Sequence, residues 1–131
     1  IQELSEDIFK TSNRLSDDFT FEKGIFSKAL GAAQEAMGFI GKKAKNNEMN
    51  MVLQNCTDFL NLSAHIVVAW RLMESAWIAD EKLKTATGDE KEYLETKIVD
   101  FKIYCSNYLV QAISLAKAIT SMDQDITKFK L

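Results

Sequence analysis

An all-α fold, an up-down-up-down antiparallel four-helix bundle with two long C-terminal helices, follows from three observations on this 131-residue sequence. Proline is absent, which suits helices joined by short loops better than a turn-rich β fold. Apolar residues recur three and four apart through four segments. Only short polar breaks separate those segments, and short connections make antiparallel neighbours. The expected helices cover about residues 1–17, 21–46, 49–85 and 89–122 of a single domain.

In the first segment Ile1, Leu4, Ile8, Leu15 and Phe19 fall close to one face. Asp17, Asp18 and Thr20 read as a break and a new start. The second carries a stripe of Phe26, Leu30, Ala33, Met37, Ile40 and Ala44, widened by Ile25, Ala32, Ala36 and Phe39. Gly24, Gly31 and Gly38 recur every seven residues on the other side. They are either weak spots tolerated on an exposed face or a smooth contact face for another domain or subunit.

Asn46 and Asn47 mark the next break. The third segment has its main stripe at Val52, Cys56, Phe59, Ser63, Ile66, Trp70, Met73 and Trp77, with Val68, Leu72, Ala76 and Ala79 behind. A helix apolar nearly all round has to be covered on more than one side. Thr85-Ala86-Thr87-Gly88-Asp89 forms a polar hinge, with Asp89 as the expected N-cap. The fourth segment places Leu94, Phe101, Cys105, Tyr108, Ala112, Leu115 and Ile119 on its stripe and Val99, Ile103 and Val110 at the back. From Asp123 to Leu131 the pattern is lost, as in a fraying tail.

Sixteen basic and nineteen acidic residues give a net charge of −3, which leaves no electrostatic footprint for nucleic acid. Lys42, Lys43 and Lys45 sit near a helix end, where they complement the helix dipole or, alternatively, hold a phosphate. Cys56 and Cys105, the only cysteines, form no CxxC and read as two mostly buried free thiols in a reducing, cytoplasmic setting, with a disulfide between them left open. No run of apolar residues is long enough to span a membrane. The chain opens Ile1-Gln2-Glu3, without methionine, and is expected to be a fragment of a longer polypeptide.

Catalytic patterns are missing. A di-metal bundle needs Glu-x-x-His on facing helices, but Leu62 stands three residues before His65, the single histidine. One His and two distant Cys do not make a zinc site. His65 has no nucleophile motif around it. The glycines match no nucleotide loop. Asp17-Asp18 and Asp89-Glu90 are dipole partners at helix starts. Arg71 and Glu74, three apart, pair with each other. Trp70, Trp77, Tyr93, Tyr104 and Tyr108 read as core or interface aromatics, with an aromatic ligand box as the alternative. No residue is therefore assigned to catalysis, cofactor or metal binding.

Two blocks carry a resemblance. The run His65-Ile66-Val67-Val68-Ala69-Trp70-Arg71-Leu72-Met73, followed by Ala76 and Ala79, resembles the long helix in the C-terminal domain of the larger acyl-CoA dehydrogenases. The run from Glu92 to Tyr104 resembles the start of that family's last helix. Phe101-Lys102-Ile103-Tyr104 stands where the family usually has Ala-Arg-Phe-Tyr, and Leu109-Val110 where it often has Leu-Pro.

The resemblance implies a parent flavoprotein oxidoreductase of fatty acid metabolism, an acyl-CoA dehydrogenase. Such enzymes use FAD to remove hydrogens from the α and β carbons of an acyl-CoA, with a glutamate taking the α proton. Those residues belong to a preceding dehydrogenase body, so none is carried over to this chain. The expected role is packing on that body or on a neighbouring subunit of a homo-oligomer. The alternatives are a stand-alone helical interaction module and an apolar-ligand carrier lined by Trp70, Trp77 and Tyr108.

Overall fold

The computed structural model describes residues 2–121, and every regular element among them is helical. Ile1 of the first stripe, Met122 and the tail from Asp123 lie outside the described residues. The elements are α1 (Gln2–Arg14), a 3-10 turn (Asp17–Phe19), α2 (Thr20–Lys45), α3 (Met49–Gln54), α4 (Cys56–Leu83), α5 (Asp89–Tyr104), a π turn (Cys105–Leu109) and α6 (Val110–Ser121).

Local chemistry sets each boundary. After α1 the chain goes extended at Ser16, and the 3-10 turn is closed by the Thr20 hydroxyl, which donates to the Asp17 carbonyl at 2.6 Å. α2 ends in a Schellman motif. Asn47 takes the left-handed position at φ 60°, its N–H bonds the Ala44 carbonyl, and the Glu48 N–H reaches the Lys43 carbonyl at 2.9 Å. Asparagine is the residue after glycine best suited to that conformation.

The third expected helix breaks at Asn55. Its side-chain amide turns back to the Met51 carbonyl at 2.9 Å, in competition with the backbone ladder. The N-cap of α5 is Gly88, not Asp89. At φ 65° and ψ −137° it holds a conformation that side chains resist, and Asp89 becomes the first helical residue.

α4 packs antiparallel on α5 and α6, the arrangement that the hinge dictates. α1 lies along α4. α2 packs most closely on α6, and the direction of that contact is set at its start. Phe19 meets Phe101, and Glu22 faces Cys105, so α2 runs parallel to the last helical run. Small side chains let these helices approach: Ala29 and Ala36 on α2, Ala112 and Ala116 on α6, all buried.

The core lies one step round from the stripes that the pattern predicts. On α4 the buried line is Leu62, Ile66, Ala69, Met73 and Ala76, while Phe59, Ser63, Trp70 and Trp77 form its α1-facing edge. On α2 it is Phe26, Ala29 and Ala36, and Ala44 is exposed. Cys105 is buried as expected, but Cys56 is exposed, because it sits at the α3–α4 break beyond the reach of α1. Both thiols are free.

The fourth helix departs most from simple periodicity. Regular 3-4 spacing puts Tyr108 inward after Cys105. The π turn holds one residue more than an α turn, so Leu109 is buried and Tyr108 is turned out. Beyond the turn Ala112 and Ile119 are buried where the stripe expects them, while Ala116 is buried and its neighbour Leu115 packs at the core's edge.

Candidate functional site

Among the described residues, three places gather titratable, aromatic or exposed apolar side chains. The first is the seam between α4 and α5. His65 Nδ1 and the Tyr104 hydroxyl are 3.2 Å apart, and Tyr104 stacks on Tyr108 with ring centroids 5.3 Å apart. The π turn makes this cluster by turning Tyr108 outward. Burial pushes the Tyr104 hydroxyl above its ordinary pKa, with smaller contributions from Cys105 and Tyr108. A phenol held in its neutral form donates or accepts one hydrogen bond, and His65 takes it.

The aromatic box does not form. Trp70 and Trp77 lie on the α1 side of α4, under the guanidinium groups of Arg71 at 4.4 Å and Arg14 at 4.8 Å. Tyr93 is exposed beside Lys97. Of the three residues named for a carrier cavity, Trp70 and Trp77 therefore lie on the α1 side, while Tyr108 is turned out beside Tyr104. Arg71 and Glu74 pair at 3.0 Å, as their spacing predicts.

The second place is Glu22, buried at 6% exposure beside Cys105. Its Oε2 has no hydrogen-bond partner, an uncommon condition for a buried carboxyl oxygen. Burial, and then the neighbouring carboxylate, push the Cys105 thiol up to about 12. A thiol so held is a packing group, since nucleophilic attack requires the thiolate. Sequence reasoning missed Glu22, although it sits four residues before Phe26 on the buried face.

The third place is the surface. Val68, Val99 and Ile103 are 44%, 50% and 49% exposed. Of the other residues read as outward-facing, Leu72 and Val110 are half-buried and Ala79 is buried, because α4 rotates the Ala76–Ala79 side toward the core. At Gly24, Gly31 and Gly38 an added Cβ meets nothing within 4 Å, so this face of α2 is open. Of the basic cluster, Lys43 reaches Glu48 at 3.5 Å and lies over the Phe39 ring.

Two grooves flank α1. One, of about 300 Å³, lies between α1 and α2 and is lined by residues including Ile8, Phe9, Lys23 and Phe26. The other, of about 100 Å³ with apolar walls, lies where α1 begins, among Leu4, Leu30, Ala33, Met37, Phe59 and Ile66. Among the described residues no three His, Cys, Asp or Glu side chains could hold a metal ion, and no helix is long and apolar enough to cross a membrane.

A family model described as "Acetyl-CoA dehydrogenase C-terminal like" matches residues 4–130. No curated protein matches the chain.

Proposed function

The chain belongs to the acetyl-CoA dehydrogenase C-terminal-like family, and from that membership we propose that it is a non-catalytic helical domain appended to an FAD-dependent acyl-CoA dehydrogenase. Its work is to pack on the dehydrogenase body of its own chain or of a neighbouring copy in a cytoplasmic homo-oligomer. Membership in this family implies FAD in the parent enzyme. The residues here do not fit that group. The glycines of α2 lie within a helix instead of opening one as a loop, and both grooves are small for a dinucleotide. No step of the reaction is accordingly placed in this domain.

The observation that carries the reading is the outward apolar set Val68, Val99 and Ile103, each about half exposed. Val99 and Ile103 are four apart on α5 and so lie side by side on its exposed back, a strip that a partner would cover. Covering them removes apolar area from water, at roughly 25 cal/mol per Å². Sequencing the reading frame upstream of Ile1 tests this. A flavin-binding dehydrogenase body is expected there, and an initiation codon or an unrelated domain in that place overturns the reading.

A further inference from the structure

The larger of the two grooves beside α1 joins an apolar trough to a charge that no ion pair neutralises. Ile8, Phe9, Phe26 and Leu30 line a space of about 300 Å³ between α1 and α2. Ile8 and Phe26 are buried and make its floor, while Phe9, 65% exposed, is its outer lip. Gly24 borders the same space without a side chain, and an added Cβ there meets nothing within 4 Å.

Lys23 brings the charge. It is half-buried in the groove wall, and its ammonium donates to the Leu15 carbonyl at 2.6 Å, just past the end of α1. That bond caps α1 and uses one of the three donors that an ammonium carries. The nearest acidic residues in sequence, Asp17, Asp18 and Glu22, form no ion pair with Lys23, and neither does any other carboxylate among the described residues. Lys23 also stands near the N-terminal end of α2, where the helix dipole adds to its positive field instead of offsetting it. Ser12 and Ser27 line the same groove and bring hydroxyl groups to it.

We infer that this groove binds a single-chain alkyl carboxylate, with its head on the Lys23 ammonium and its tail along Ile8, Phe9, Phe26 and Leu30. The lone cation selects the head. One ammonium matches one negative charge, which a carboxylate carries and a phosphate monoester exceeds. The walls select the tail, because an alkyl chain laid on them leaves water. A space of about 300 Å³, at the small end of ligand pockets, suits one unbranched chain. No group outside α1, α2 and the turn between them takes part.

Decanoate is titrated into the isotope-labelled protein, and backbone amide shifts are read by NMR. The amides of Phe9, Ser12, Gly24 and Ser27 are expected to move together and to saturate, with octanoate about tenfold weaker for the two methylenes it lacks. Decyltrimethylammonium, the same tail under the opposite charge, is expected to leave these amides unmoved. Lys23→Met should weaken decanoate by at least about tenfold. Gly24→Leu keeps the ammonium and its bond to Leu15, fills the trough, and should cause the same loss. A dispersed amide spectrum shows that each variant is folded, and where Lys23→Met is not, Gly24→Leu decides alone. An absent or unsaturable response, an equal response to the cationic probe, or decanoate binding unchanged in either folded variant overturns the site and leaves Lys23 as a cap of α1 only.

Discussion

Tyr108 stacks on Tyr104 across the π turn, and Leu109 takes the buried place that regular spacing reserves for Tyr108. One extra residue in the turn produces both results. Deleting the exposed Ser106 is expected to close the turn to α geometry with Leu109 still inward, changing stability by no more than about 1 kcal/mol. Deleting the equally exposed Asp100 turns Leu94 about 100° out of phase with Phe101 and is expected to cost more than about 3 kcal/mol. Urea melts compare the two, and equal losses would remove the insertion account.

Phe19 and Phe101 meet at 6.0 Å between ring centroids, both wholly buried, with the Lys102 ammonium over the Phe19 ring. Replacing either with alanine is expected to cost about 3–5 kcal/mol. A double-mutant cycle in urea should show a coupling of roughly 0.5–1.5 kcal/mol, and strict additivity would mean that the rings do not hold each other.

Glu22 is a liability in its place. Glu22→Leu fills a similar volume and removes the unpartnered Oε2, and should raise stability by about 1–3 kcal/mol in urea unfolding. A lower midpoint would mean that the carboxyl is satisfied in solution.

The Cys105 thiol sets a limit on alkaline stability. Its folded-state pKa of about 12 lies above the ordinary 9.0, so from pH 9 upward the unfolded chain gives up this proton more readily than the folded one. Stability from this group is complete below pH 9 and is lost as pH rises toward 12. Cys105→Val should flatten the decline in urea midpoint over that range, and an unchanged slope would assign it to other groups.

The open glycines of α2 predict a gain. With nothing within 4 Å of an added Cβ, Gly31→Ala and Gly38→Ala should each raise stability by about 0.5–1 kcal/mol. Gly88→Ala, at φ 65°, should lower it by about 1 kcal/mol or more. Thermal melts of the three variants decide, and a loss at Gly31 or Gly38 would point to a partner on that face.

The helical class, the hinge and the break after α2 are legible because spacing, glycine and asparagine act locally; the count is not, since the expected third helix divides at Asn55 and the fourth at the π turn, which makes six α-helices of four among the described residues. The phase of the core was only partly legible. Ala29, Ala69 and Ala116 are buried by the close approach of other helices, a tertiary fact that alanine does not announce. Tyr108 was misplaced because a π turn has no sequence signature at this length, and Asn55 breaks its helix with a bond that any asparagine could make. The His65–Tyr104 contact depends on the α4–α5 register, and the outward Val68, Val99 and Ile103 were visible as apolar residues off the stripe.

The parallel contact of α2 with the last helical run also sets how far apart in the chain its partners lie. α4 and α5 are sequence neighbours and can pair as a helical hairpin, whereas Phe19 must find Phe101 across most of the polypeptide. Local contacts form fast, and distant ones wait on the entropy of closing a long loop. The α4–α5 contact therefore closes a loop of a few residues, and the Phe19–Phe101 contact one of about eighty, at a correspondingly larger entropic cost.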